Sequence, residues 1–315
     1  MKILFDTDPG IDDAMALLML ARDPRAELVG ITTVFGNASI ATTTANALAL
    51  CERFAIDAPV ARGAAQALAL PPRGFPEDIH GRDGLGNVGL PAARDRVADD
   101  LPAPEFISAM ARRHSGALTL VAVGPLTNLA LALQHDAALP RHVRQVVVMG
   151  GAFGLRGHGG NVTPVAEANI FCDPHAADRV LTTDWPVTLV GLDVTHQVLM
   201  HTGYLDALGR DGGVEGRFIR AITRCYEDFY TTRTGGGIYS HDASAVACAL
   251  DPSAFVFRKG AVRVVTEGLA VGQTIQSPQG QRFSATDWDG FPAQSVCVEV
   301  DAARLLAEFR ACFVR

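Results

Sequence analysis

Lysine is almost missing from this 315-residue chain, which holds only Lys2 and Lys259. Arginine is spread thinly and the formal net charge is −7, so no basic run offers a footprint for nucleic acid. The six cysteines (Cys51, Cys172, Cys225, Cys248, Cys297 and Cys312) lack CxxC spacing, which argues against a zinc site or a disulfide framework and for reduced, buried thiols. Long hydrophobic runs are missing too. The most apolar stretch, ALTLVAVGPLTNLALAL at 117–133, is interrupted by Gly124, Pro125 and Asn128, and reads as strand, turn and helix rather than a membrane span. Between Lys2 and Asp6 stand only Ile3, Leu4 and Phe5, too short a run for a secretory signal, so a cytoplasmic location is expected. With no low-complexity segment or internal repeat, and with 48% hydrophobic and 19% charged residues, the chain is expected to form one domain over 1–315.

What is present is a repeated alternation. Apolar, β-branched runs at 2–8, 26–37, 117–124, 143–151 and 185–193 alternate with helical spacing at 14–23, 40–53 and 125–136. Buried strands that alternate with helices predict an α/β fold, a doubly wound and mostly parallel sheet with helices on both faces. In such sheets the ligand crevice lies beyond the carboxyl ends of the strands. Asp6, Asp8, Asn37, Val123, Met149 and Asp193 all fall at or just after predicted strand ends.

The densest chemistry is FDTDPGIDDA at 5–14, where Asp6, Asp8, Asp12 and Asp13 fall within eight positions. Repulsion between carboxylates a few ångströms apart is worth roughly 1 to 4 kcal/mol per pair near a surface, so the cluster implies a cation. Asp12 and Asp13 also open the first helix, where helix capping is the alternative reading. Two glycine-rich stretches look like functional loops. Residues 70–91 carry five glycines and four prolines around His80, and 150–174 contain Asn161, Glu167 and Asn169, a polar set suited to vicinal hydroxyls. The glycines of the second stretch do not fit GxGxxG between a strand and a helix, so a dinucleotide site is not supported. At YSHDASAVACAL, His241 and Asp242 precede an apolar helical run, and Asp242 has a helix N-cap as its alternative role.

Taken together and in this order, DTDPGIDDA, TTVFGN, HGRDGLG, VGPLTNLA, VVMGGA, NVTPVAEANIFCDP and HDASAVA resemble the inosine-uridine preferring nucleoside hydrolase family, from Lys2 to about Leu250. The resemblance implies a bound Ca²⁺ held by Asp8, both oxygens of Asp13, the carbonyl of Val123 and Asp242. It implies that Asp12 and Asn169 hold the 2′-hydroxyl of a ribonucleoside, Asp242 the 3′-hydroxyl, and Asn161 and Glu167 the 5′-hydroxyl. Met149 would lie under the ribose and Asn37 beside the attacking water. Asp6 has no clear role at the metal, and either supports the site from behind or serves the fold alone. The reaction implied is hydrolysis of the N-glycosidic bond, with nucleoside salvage as its setting and an oxocarbenium-like transition state. Asp8 would take the water's proton, and His241, or else His80, would protonate the leaving base. Residues 70–91 and 225–241 are the candidate lids, and Tyr226, Tyr230 or Tyr239 could reach the base. His241 resembles the pyrimidine-preferring or broad-specificity members, and Trp185 and Trp288 do not form a pair to sandwich a purine. The family also implies a homodimer or homotetramer, with no nucleic-acid or membrane partner.

Two rivals use overlapping features. A calcium-dependent ribose- or nucleoside-binding protein would keep the same hydroxyl ligands without turnover. A haloacid-dehalogenase-type phosphatase also places DxD after its first strand, but it needs a Thr or Val where Gly10 stands and a later Lys that this chain scarcely offers.

Overall fold

The computed structural model describes residues 1–314. Among the described residues eleven strands form: β1 (Lys2–Thr7), β2 (Glu27–Thr33), β3 (Val60–Arg62), β4 (Leu118–Ala122), β5 (Val143–Met149), β6 (Val187–Val190), β7 (Leu199–Met200), β8 (Ile238–Tyr239), β9 (Phe255–Val264), β10 (Thr274–Pro278) and β11 (Ala293–Val300). Nine of them make one sheet in the order β10-β9-β11-β6-β5-β4-β1-β2-β3. From β11 through β6, β5, β4, β1 and β2 to β3 every pairing is parallel. Within this sheet β9 pairs antiparallel with β10 and β11, and β7 and β8 form a separate antiparallel pair. The fold is therefore the expected α/β arrangement.

β1 shows why the sheet is covered on both faces. Ile3 and Phe5 join one apolar cluster while Leu4, between them, joins the other, and all three are fully buried. Successive strand side chains point to opposite faces, so an unbroken apolar run is what a strand buried on both sides requires. The helices Ile11–Arg22 and Asp242–Leu250 pack on the first face; Ala103–Arg113, Thr127–His135 and Pro174–Thr182 pack on the second. The helix Ile40–Arg53 begins where the sequence places it, because the Ser39 hydroxyl accepts from the Thr42 amide at 3.2 Å.

As expected, Asp12 and Asp13 open the first helix, which starts at Ile11. Most of the candidate lid 225–241 is helical: residues up to Thr234 complete the helix Gly213–Thr234, and Tyr226 and Tyr230, one turn apart, are both buried. The chain beyond 250, uninformative as sequence, supplies β9, β10 and β11 and so a third of the main sheet. Among the described residues no helix is long and apolar enough to cross a membrane.

Candidate active site

A cavity of about 370 Å³ opens at the carboxyl ends of β1, β4 and β5. Of the site residues singled out from the sequence, Asp8, Asp12, Asn37, His80, Val123, Met149, Asn161, Glu167, Asn169, His241 and Asp242 all line it. Asp13 lies just beneath. Its Oδ1 accepts from the Thr7 hydroxyl at 2.5 Å and the Asp8 amide at 3.1 Å, and its Oδ2 accepts from the Gly10 amide at 3.0 Å and the Asn37 side chain at 2.8 Å. Four donors fix this carboxylate in place.

Asp8 is held from one side only. Its Oδ2 accepts from the Asn37 amide at 2.7 Å, while its buried Oδ1 has no partner among the described residues. Two glycines allow that placement: a Cβ on Gly36 would lie 2.0 Å from Asp8 Oδ2, and one on Gly124 would lie 2.6 Å from Oδ1. Asp12 repeats the pattern. Its Oδ2 accepts from the Tyr226 hydroxyl at 3.3 Å, and its buried Oδ1 is unpartnered. One carboxylate oxygen each from Asp12, Asp13 and Asp242 lie within 4.8 Å of one another.

Such crowding in a dry site is costly. Burial, reinforced by the neighbouring carboxylates, pushes Asp8 and Asp242 well above the usual carboxylate range and raises Asp13; burial alone carries Asp12 to about 6. An all-oxygen donor set with orphaned lone pairs matches a hard divalent cation. The Val123 carbonyl lines the same cavity and accepts from the Asn169 side chain, whose Nδ2 donates to it at 2.7 Å and to the Met149 carbonyl at 3.2 Å. Asp242 is the first residue of its helix rather than the cap, a place taken by His241, so the N-cap alternative does not hold.

Across the cavity the polar set is equally fixed. Glu167 caps the helix Ala168–Cys172, accepting from the amides of Asn169, Ile170 and Gly151 at 2.8, 3.1 and 3.0 Å. Asn161 Oδ1 accepts from the Ala168 amide at 3.0 Å, which leaves its Nδ2 to donate. Both histidines are buried, and burial lowers His80 to about 4 and His241 to about 3, so both rings are neutral near pH 7. His80 Nδ1 accepts from the Ile11 amide at 3.2 Å, which assigns its proton to Nε2. His241 sits between Thr195 Oγ1, 2.8 Å from Nδ1, and the Tyr230 hydroxyl, 3.1 Å from Nε2.

Sequence reasoning missed Thr195, and it missed Arg73, Phe75 and Phe171 at the cavity wall, where the Arg73 guanidinium lies 4.2 Å over the Phe171 ring. Only the neighbouring Asp193 gave a signal for Thr195. Asp193 itself ties down the glycine-rich loop, accepting from the Phe153 and Leu155 amides at 2.8 and 2.6 Å. Asp6 is turned away from the cavity, and its Oδ1 accepts from Thr32 and Asn128 at 2.5 and 2.8 Å. Trp185 is buried, with its indole donating to the Val180 carbonyl at 2.8 Å, and lines no part of the site.

Known proteins are similar over nearly the whole chain. A uridine nucleosidase of Arabidopsis thaliana is 39% identical over 316 residues, covering 98% of this chain and 92% of its own. The structure of a plant nucleoside hydrolase superposes with a TM-score of 0.94 at 36% identity, covering 99% of this chain and 98% of that one. A purine-preferring ribonucleoside hydrolase from Gardnerella vaginalis superposes with a TM-score of 0.91 at 32% identity, with coverage of 99% and 98%. The profile of the family described as inosine-uridine preferring nucleoside hydrolase matches residues 3–307. That span takes in both the acidic opening and the His241-Asp242 helix start, and the chain belongs to this family of nucleoside hydrolases.

Proposed function

We propose that this protein hydrolyses the N-glycosidic bond of ribonucleosides with the help of Ca²⁺, releasing ribose and free base for nucleoside salvage. The observation that carries the reading is the pair of buried, unpartnered oxygens, Asp8 Oδ1 and Asp12 Oδ1, at the bottom of a nucleoside-sized cavity. Asp8, Asp13, Asp242 and the Val123 carbonyl would hold the ion. Bound there, Ca²⁺ would offset the carboxylate charge and polarise the hydroxyls and the water that reach it.

The chain's own residues do the rest. Asp8 accepts the proton of the attacking water through Oδ1, the oxygen that no protein donor occupies. Asn37, which donates to both Asp8 and Asp13, keeps the two carboxylates in register. Asp12 and Asn169 bind the 2′-hydroxyl, Asp242 the 3′-hydroxyl, and Asn161 and Glu167 the 5′-oxygen, with Met149 beneath the sugar. His80, with its proton on Nε2, and His241, acting through the Tyr230 hydroxyl at its Nε2, face the departing base as hydrogen-bond donors. Residues 70–91 and 225–241 close over it and exclude water.

A pyrimidine-preferring or broad base range is supported by relatives named for uridine and for purines alike. Free ribose should appear when the protein is incubated with uridine or inosine and Ca²⁺. Saturable nucleoside binding without ribose release would instead favour a binding protein and sink the reading.

A further inference from the structure

A second cavity, of about 290 Å³, adjoins the first and shares Asn161 and Tyr230 with it. Its walls are the rings of His158, His196 and Tyr239 and the backbone of 157–160, and no carboxylate stands among the described residues that line it. That contrasts with the acid-rich catalytic cavity. The rings form a contiguous aromatic face: His158 packs edge-on to His196 at 5.3 Å, and His196 lies 4.4 Å from Tyr239. The opposite wall is built tightly. A Cβ on Gly159 would come within 2.6 Å of the Pro164 carbonyl, and one on Gly160 within 2.3 Å of the Ala166 and Thr163 carbonyls. The space is thus walled by rings and close-packed backbone, without a carboxylate among the described residues that line it, and suits a flat or aliphatic group.

Asn161 stands at the junction, and its hydrogen bonding decides what can pass. Its Oδ1 is taken by the Ala168 amide, which leaves the Asn161 N–H to donate to a 5′-oxygen, while Glu167, bonded by three backbone amides, keeps one acceptor site on Oε1. An ether oxygen accepts that bond as a hydroxyl does. We propose that the second cavity receives an uncharged substituent on the 5′-oxygen of the ribose, making 5′-O-alkyl and 5′-O-aralkyl ribonucleosides substrates. This rests on the assignment of Asn161 to the 5′-oxygen.

The test is kcat/KM of the full-length, Ca²⁺-supplemented protein on uridine, 5′-O-methyluridine, 5′-O-benzyluridine and 5′-deoxyuridine. Both ethers should stay within about tenfold of uridine, while the deoxy compound, which leaves Asn161 unpaired, falls well below them. His158→Trp, which fills the cavity, should cut the benzyl ether by about tenfold or more and leave uridine within about twofold, whereas His158→Ala should spare both. Rejection of the benzyl ether by the wild-type protein by more than about a hundredfold overturns the proposal, as does an equal loss on every substrate in His158→Trp. Should uridine itself not be cleaved, the proposed reaction fails, and calorimetric binding of 5′-O-benzyluridine to wild type and His158→Trp still decides the cavity: equal affinities would exclude it.

Discussion

The Tyr230 hydroxyl lies 3.1 Å from His241 Nε2, and Thr195 holds the other ring nitrogen, so His241 faces the cavity with both nitrogens already placed. Tyr226 extends the array: its ring is 4.9 Å from that of Tyr230 and its hydroxyl donates to Asp12. A histidine held this way suits the stabilisation of a departing base. Acting through the Tyr230 hydroxyl that it holds, His241 would assist the leaving base, so His241→Ala should lower kcat/KM on uridine or inosine by about 10²- to 10⁴-fold, the usual worth of proton transfer to a leaving group. On p-nitrophenyl riboside, whose leaving group needs no proton, the loss should be small. An equal loss on both substrates would mean that His241 supports the metal site or the fold, and His80, whose Nε2 carries the proton, would take its place.

The ribose contacts make a separate prediction. Asp12 Oδ1 is buried without a partner, so a substrate lacking the 2′-hydroxyl leaves it unsatisfied. 2′-Deoxyuridine should be cleaved more slowly than uridine by as much as about 10⁴-fold, the discrimination typical of a site built around a hydroxyl. Comparable kcat/KM for the two would remove Asp12 and Asn169 from the 2′-position.

Most of this site was legible because its residues sit next to strand ends in sequence. Asp8, Asn37, Val123 and Met149 follow or end apolar runs, and the parallel sheet gathers those ends on one edge. What was not legible depends on packing between distant segments. Thr195 meets His241 across 46 positions, and the Asn169 side chain meets the Val123 carbonyl across another 46. The 225–241 candidate lid is mostly helix: its tyrosines, one turn apart, bury a helical face as far as Thr234, and Gly235, with φ of +71°, ends the helix. The antiparallel edge made by β9 and β10 gave no sequence signal beyond alternation.

Removal of the metal should be visible in stability as well as in turnover. Buried carboxylates whose charge is unfavourable without a cation make Ca²⁺ a ligand of the folded state, and an ion at about 100 times its Kd adds roughly 2.7 kcal/mol. Chelation with EGTA should abolish ribose release and lower Tm, and Ca²⁺ should restore both. Asp8→Asn keeps the shape but not the charge, so it should weaken Ca²⁺ binding and cut kcat by about 10²-fold or more. Asp13→Ala should abolish both calcium and activity, and it should also lower stability because four donors lose their acceptor. Full calcium occupancy in Asp13→Ala by elemental analysis would show that the ligand assignment is wrong.

Gly124 offers a cleaner probe of Asp8 than any change to the carboxylate itself. A Cβ there would stand 2.6 Å from Asp8 Oδ1, the unpartnered oxygen, and 2.9 Å from Val34 Cγ1. Gly124 does not occupy the left-handed region, so alanine is compatible with its backbone and the conflict is purely one of space. Asp8 cannot retreat freely, because the Asn37 amide holds Oδ2 at 2.7 Å and Gly36 closes the other side. Gly124→Ala should accordingly cost at most about 1 to 3 kcal/mol of stability, as overpacking generally does. It should nevertheless lower kcat by about 10²-fold, since an ångström of misplacement at a reacting group carries that penalty. The decisive comparison is with Gly116→Ala, at a glycine whose surroundings are open but whose φ is +72°, so that any loss there is one of backbone strain alone. If Gly124→Ala folds with wild-type Tm and wild-type kcat, Asp8 Oδ1 is not the oxygen that meets the water.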